Sequence, residues 1–168
     1  IHGDNHKPEQ FAFLQKENPD VVCLQELYKM DIPVFEKVLG MKAQFAENVS
    51  ITVKNEYNDA PRGPWGIALF SKYPCTNVRC QYYQMNGPQD SLFPDRGGPD
   101  EMARAVLWGD VQVGSHTFTV ATTHFTWAPN QYPTPIQLQA FSNLQSILDT
   151  IPEIILTGDF NTPRGYKI

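Results

Sequence analysis

Three kinds of feature are scarce in this 168-residue chain, and each scarcity excludes a class of protein. No apolar run approaches the roughly 20 residues that a membrane-crossing helix needs, so no such helix is expected. No block of lysine and arginine interrupts a net charge of −5, so the phosphate-neutralising surface of a protein that grips long nucleic acid is missing. Only three cysteines are present and they cannot all pair with one another; Cys23 sits in an apolar strand and reads as an inert core thiol, whereas Cys75 and Cys80 flank a short connection and are open to either state. None of the three has CxxC spacing, which argues against a zinc site. The chain begins at Ile1 without an initiator methionine, a signal-type apolar segment or a lipidation motif, and the expectation is a removed leader or a late start. Asn48-Val49-Ser50 matches a glycosylation sequon by pattern alone.

What is present is a chain with 41% hydrophobic residues, long enough for one well-buried core and too short for two comfortable ones. Residues 1–168 are therefore read as a single domain. A helix is expected over Glu9–Glu17, stopped by Asn18-Pro19, then a strand Asp20–Glu26 that is apolar through its middle and polar at its end. A second helix is expected over Asp31–Leu39, with Asp31 as cap and Gly40 as stop. Gln44–Val53 reads as a strand or hairpin, Lys54–Pro64 as a loop, Trp65–Phe70 as a short buried strand and Asn77–Met85 as another. Asn86–Glu101 reads as a long surface loop, the candidate selectivity element. Ala103–Val113 and His116–Phe125 form a hairpin around Gly114-Ser115, followed by a loop over Trp127–Pro133. Thr134-Pro135-Ile136-Gln137 opens a helix that runs to about Asp149 and buries Ile136, Ala140, Leu144 and Ile147.

The most informative stretch is Ile154–Pro163, an apolar strand that ends in Gly158-Asp159-Phe160-Asn161. In extended backbone residues i and i+2 share a side, so Asp159 and Asn161 are expected to converge while Phe160 turns to the core. The competing reading is an Asx turn, common wherever Gly-Asp and Asn-Thr-Pro occur. Glu26 and His124 also stand at strand ends, where a solvated terminus or a structural histidine is the plainer reading of each taken alone. Strands alternating with helices imply an α/β layered structure. If the three strand ends share a rim, two carboxylates, an amide and an imidazole meet there, a set suited to a hard divalent cation and phosphate oxygens.

Taken in order, Asn18-Pro19-Asp20-Val21-Val22-Cys23-Leu24-Gln25-Glu26, Gly66–Pro74, Thr123-His124-Phe125 and Thr157-Gly158-Asp159-Phe160-Asn161 resemble the endonuclease/exonuclease/phosphatase superfamily, with its deoxyribonuclease-I-like fold. The resemblance implies a four-layer sandwich, α/β or α+β by scheme, of two packed β-sheets flanked by helices. It implies a Mg²⁺-dependent hydrolase of phosphate esters, with Mn²⁺ as an alternative metal. Glu26 then matches the metal-ligand glutamate, Asp159 the aspartate that orients or deprotonates water, and Asn161 its neighbour on water and phosphate. His124 matches the histidine that donates to the scissile phosphate, by hydrogen bond or proton. Arg104 is a candidate phosphate contact by position alone, core or surface pairing being the alternative. Similar members begin with an Asn-bearing strand and end with an Asp-His strand. Neither is identifiable here, so a partial segment missing terminal strands is expected. The expected substrate is a small phosphodiester, a nucleic-acid end, a sugar phosphate or a phospholipid headgroup, acted on by a monomer; the rival is a binding or scaffold domain that kept the fold without catalysis. Trp65, Tyr82, Tyr83, Phe93 and Trp127 are candidates for an aromatic wall, with core packing the competing role.

Overall fold

The computed structural model describes residues 7–52, 61–88, 90–91, 102–128 and 132–162. Helix α1 spans Lys7–Glu17 and is followed by β1, Val21–Tyr28. A 3₁₀ turn, Lys29–Asp31, leads into α2, Ile32–Leu39, and then come β2, Lys42–Ile51, β3, Gly63–Ser71, and β4, Cys75–Gln84. The two-residue strand β5, Asp90–Ser91, precedes the hairpin of β6, Arg104–Val113, and β7, His116–His124; α3, Pro135–Leu148, and β8, Ile154–Asp159, complete the order.

Two four-stranded sheets result, in the orders β1-β3-β2-β5 and β4-β6-β7-β8. Among the described residues only β2–β5 and β7–β8 pair in parallel; the remaining ladders are antiparallel, which places the fold on the α+β side. Three apolar clusters show the layering. Phe11 and Leu14 of α1 and Phe35 of α2 pack with Val22, Leu27, Ala68 and Phe70 on the outer side of the first sheet. Between the sheets lie Ala46, Ile67, Leu69, Leu107, Val111 and Val120, and α3 covers the second sheet through Ala140, Leu144 and Ile147 against Val106, Trp108 and Ala121. The layers are therefore helix, sheet, sheet, helix. Among the described residues no helix is long and apolar enough to cross a membrane.

Local chemistry explains most of the boundaries. Gly40 ends α2 in the left-handed region, φ 65°, as its sequence position predicts. Thr134 caps α3 by accepting from the Gln137 amide at 3.2 Å. Asp31 does not cap α2, because its carboxylate is taken by Lys7 at 2.9 Å and Arg62 at 3.6 Å. Ile136 is 37% exposed rather than buried, and Gln137 takes the inner position instead, donating to the Thr126 carbonyl at 2.9 Å. The expected loop at Asn86–Glu101 contains β5, which pairs with Ser50 and Ile51; residues 89 and 92–101, and residues 53–60 of the loop before β3, lie outside the described residues. Cys75 and Cys80 are free thiols on one strand, separated by about 16 Å of extended backbone, beyond a disulfide's reach. Asn48 is fully buried and donates to the Ala103 carbonyl at 2.6 Å, so the folded chain offers no glycan acceptor there.

Candidate active site

Strand direction collects the candidate residues. The registers place the ends of β1, β2, β4, β7 and β8 and the starts of β3 and β6 at one end of the sandwich. Glu26, Trp65, Arg104, His124 and Asp159 all belong to that rim.

Glu26 is not a simple strand terminus, because β1 continues to Tyr28. The ladder with β3 pairs Leu24 with Ala68 and Leu27 with Gly66, so Gln25 and Glu26 together face one partner residue. This is a β-bulge, and Glu26 occupies it at φ 61°. Leu24 and Leu27 both pack toward the helices, so the inserted residue lets Gln25 and Glu26 escape simple alternation. A left-handed non-glycine residue costs about 1–2 kcal/mol, and such strain gathers at functional positions.

His124 and Asp159 are register partners on the parallel pair β7 and β8. Their closest side-chain approach, His124 Nε2 to Asp159 Oδ2, is 4.0 Å. The pairing depends on Gly158, where φ is 150° and a Cβ would run into the Thr123 carbonyl oxygen. His124 is 5% exposed, its Nδ1 has no hydrogen-bond partner among the described residues, and its ring lies 5.8 Å from that of Trp65. Burial first, and then the Arg104 guanidinium, push its pKa down to about 3, so the imidazole is neutral at neutral pH.

Asp159 and Asn161 do come together, but through the turn rather than through extended backbone. The strand stops at Asp159, Asn161 sits at φ 49°, and its backbone N–H donates to Asp159 Oδ1 at 2.8 Å. The Asn161 Nδ2 donates to the Phe125 carbonyl at 2.7 Å, and the Phe125 N–H donates to the Asp159 carbonyl at 2.8 Å, which ties the ends of β7 and β8 together. Phe160 is not taken into the core: it stays 40% exposed beside an apolar pocket of about 380 Å³ formed with Phe125, Phe141, Leu144, Leu148 and Leu156.

Arg104 lies beneath the rim, 2% exposed, with one guanidinium nitrogen donating to the His124 carbonyl at 3.2 Å and its Nε without a partner among the described residues. The Tyr83 hydroxyl reaches the same carbonyl at 3.3 Å and the Thr123 hydroxyl at 2.9 Å. Burial lowers the Arg104 pKa, while Tyr83, Glu26 and Asp159 pull it back up, so both carboxylates feel this one cation. Core pairing, rather than open phosphate contact, is what this burial favours. Sequence reasoning missed Tyr83 as part of the site and proposed it only as an aromatic wall; it is 3% exposed, and burial pushes its pKa up to about 12. Of the other aromatics, Trp65 is at the rim, the Tyr82 hydroxyl donates to the Glu47 carbonyl at 2.8 Å, Trp127 is half-buried, and Phe93 lies outside the described residues.

A two-sheet sandwich with carboxylates, an amide and a neutral imidazole at one rim defines a chain of the deoxyribonuclease-I-like class. The family model for the endonuclease/exonuclease/phosphatase family matches residues 11–166, and the chain belongs to that family. Solved structures share the fold. A Bacteroides thetaiotaomicron mannosyl-6-phosphatase superposes with a TM-score of 0.64 at 14% identity, covering 95% of this chain and 58% of its own. ANGEL2, described as a 2′,3′-cyclic phosphatase, gives 0.64 at 19%, covering 98% and 48%. D. rerio TDP2, in complex with a single-strand DNA product, gives 0.63 at 16%, covering 93% and 53%. The chain thus spans about half the length of these structures. No curated protein matches it by sequence.

Proposed function

We propose that the complete protein hydrolyses phosphate esters at this rim, by in-line attack of water on a phosphodiester or phosphomonoester. The observation that carries the reading is the contact of the two sheets at the rim, where Trp65, on the sheet that carries Glu26, lies 5.8 Å ring to ring from His124, the register partner of Asp159 on the other sheet. Asp159, half-exposed at 53%, is an acceptor that orients the attacking water and receives its proton. His124, held neutral, acts by donating a hydrogen bond to a phosphoryl oxygen; delivery of a proton from an imidazolium does not suit so depressed a pKa. Asn161 holds the strand end in place through Phe125 and stands beside Asp159 at the water.

The donor set fits a hard cation. Among the described residues no three His, Cys, Asp or Glu gather into a ligand cluster, but Mg²⁺ is characteristically held by one or two carboxylates, with water and substrate phosphate completing its shell. Glu26 is the residue assigned to it, with Mn²⁺ as substitute. When bound, the metal supplies electrostatic stabilisation of the phosphoryl charge. The raised pKa values of Cys23, Cys75 and Cys80, each first from burial, add to the case against a thiolate-bound metal.

The structural neighbours, a mannosyl-6-phosphatase, a 2′,3′-cyclic phosphatase and a protein complexed with a single-strand DNA product, suggest substrate classes to test. Trp65 beside His124 supplies a flat surface next to the phosphate position. The test is a screen of the complete protein against phosphodiesters, sugar phosphates, nucleic-acid ends and phospholipid headgroups, with Mg²⁺ and with chelator. Chelator-sensitive release of product supports the reading; silence across all four classes, with the protein folded, favours a binding or scaffold domain.

A further inference from the structure

Beneath the rim, the apolar contact between the two sheets carries a polar seam. The facing side chains include Ile67, Leu69, Leu107, Val111 and Val120. At the level of Ile67 and Leu107, Gln25 Nε2 donates to the Thr122 hydroxyl at 2.9 Å, a bond that joins β1 to β7 across 97 positions of sequence. Burial raises the pKa of Cys23, two residues earlier on β1, while the side chains of Thr157 and Thr122 lower it. Thr122 and Thr157 are register partners on β7 and β8, and the Thr157 hydroxyl also donates to the Ala121 carbonyl at 3.0 Å.

The positions of these residues are what give the seam its meaning. Gln25 adjoins Glu26 within the bulge, Thr122 lies two residues before His124, and Thr157 lies two before Asp159. Apolar contacts between sheets are non-directional and hold their separation better than their lateral register. Hydrogen bonds of about 2.9 Å fix position to a few tenths of an ångström, and polar groups at a buried contact select one arrangement among near-equal ones. Thr122 is fully buried, so its hydroxyl has no water to exchange with.

We propose that Gln25 and Thr122 are positioning residues: their hydrogen bond sets the register of the sheet carrying Glu26 against the sheet carrying His124 and Asp159. This rests on the reading of the rim as a phosphate-ester site. Neither residue touches substrate, and both act through the strands they join.

The test uses the complete protein and the pair Thr122→Val and Thr122→Ser. Valine matches threonine in shape and favours a strand, so its thermal midpoint should stay within a few degrees of wild type. With the hydroxyl gone, kcat should fall about tenfold while KM moves less than about twofold, because a small misplacement of reacting groups affects the chemical step more than binding. Serine keeps the hydroxyl and should restore most of the loss. Wild-type kcat in the valine variant, or equal loss in both variants, would overturn the proposal. If the wild-type protein hydrolyses nothing, the functional reading fails on its own, and the seam is judged by crystal structures of wild type and Thr122→Val. A shift of β1 against β7 at the rim of about 0.5 Å or more supports it, and superimposable sheets refute it.

Discussion

At the scale of single residues, two positions are held by constraints that make strong demands. Gly158 leaves β8 flush against β7, since any side chain there would meet the Thr123 carbonyl, and its φ of 150° is open to glycine. Gly158→Ala should therefore lower unfolding free energy by about 1–3 kcal/mol, measured by urea denaturation, and should shift Asp159 away from His124. His124 is the second. Its folded pKa, about 3, lies below the ordinary histidine value, so between about pH 3 and 6.5 the unfolded chain binds more protons than the folded one. The stability it contributes is fully present above pH 6.5 and is lost as pH falls toward 3. A His124→Gln variant should flatten that acid limb in melts recorded across the window, and an unchanged limb would show that the imidazole is not buried in this way. Arg104 shows how much residue type leaves open: by position it suited phosphate contact or core pairing alike, and its burial with a bond to the His124 carbonyl, which the Tyr83 hydroxyl also reaches, favours the second.

At the scale of elements, the bulge in β1 is the feature that separates site from scaffold. Glu26 is held at φ 61°, a conformation glycine adopts without strain. Glu26→Gly should leave the protein as stable as wild type or more stable by about 1 kcal/mol, while abolishing phosphate-ester turnover. A loss of stability in that variant would show that the carboxylate is a structural group. The elements themselves were largely legible, because their signals are local: Thr134 and Pro135 opening α3, Gly40 closing α2, Gly114-Ser115 turning the hairpin. The bulge was not, since one extra residue in a ladder leaves no mark in the pattern of β1 until β3 is laid beside it. The Asx turn at Asp159 was visible as the competing reading and is the one the strand end adopts. Asp31 failed as a cap for a reason equally remote in sequence, the arrival of Lys7 and Arg62.

At the scale of the whole molecule, the sandwich divides the candidate residues between two sheets, with Glu26 on one and His124 and Asp159 on the other. The motifs pointed to these candidates, and their order along the chain pointed to the family. What joins the halves is long-range: the Gln25–Thr122 bond, the Trp65–His124 contact and the charge of Arg104 felt by both carboxylates. The most direct test of the proposed site is the Mg²⁺-dependent hydrolysis of bis(4-nitrophenyl) phosphate by the complete protein and its Glu26→Gln and Asp159→Asn variants, each checked for native melting. The account predicts that either substitution lowers kcat/KM by about a hundredfold or more without unfolding the chain. Near-wild-type turnover in both variants would contradict it.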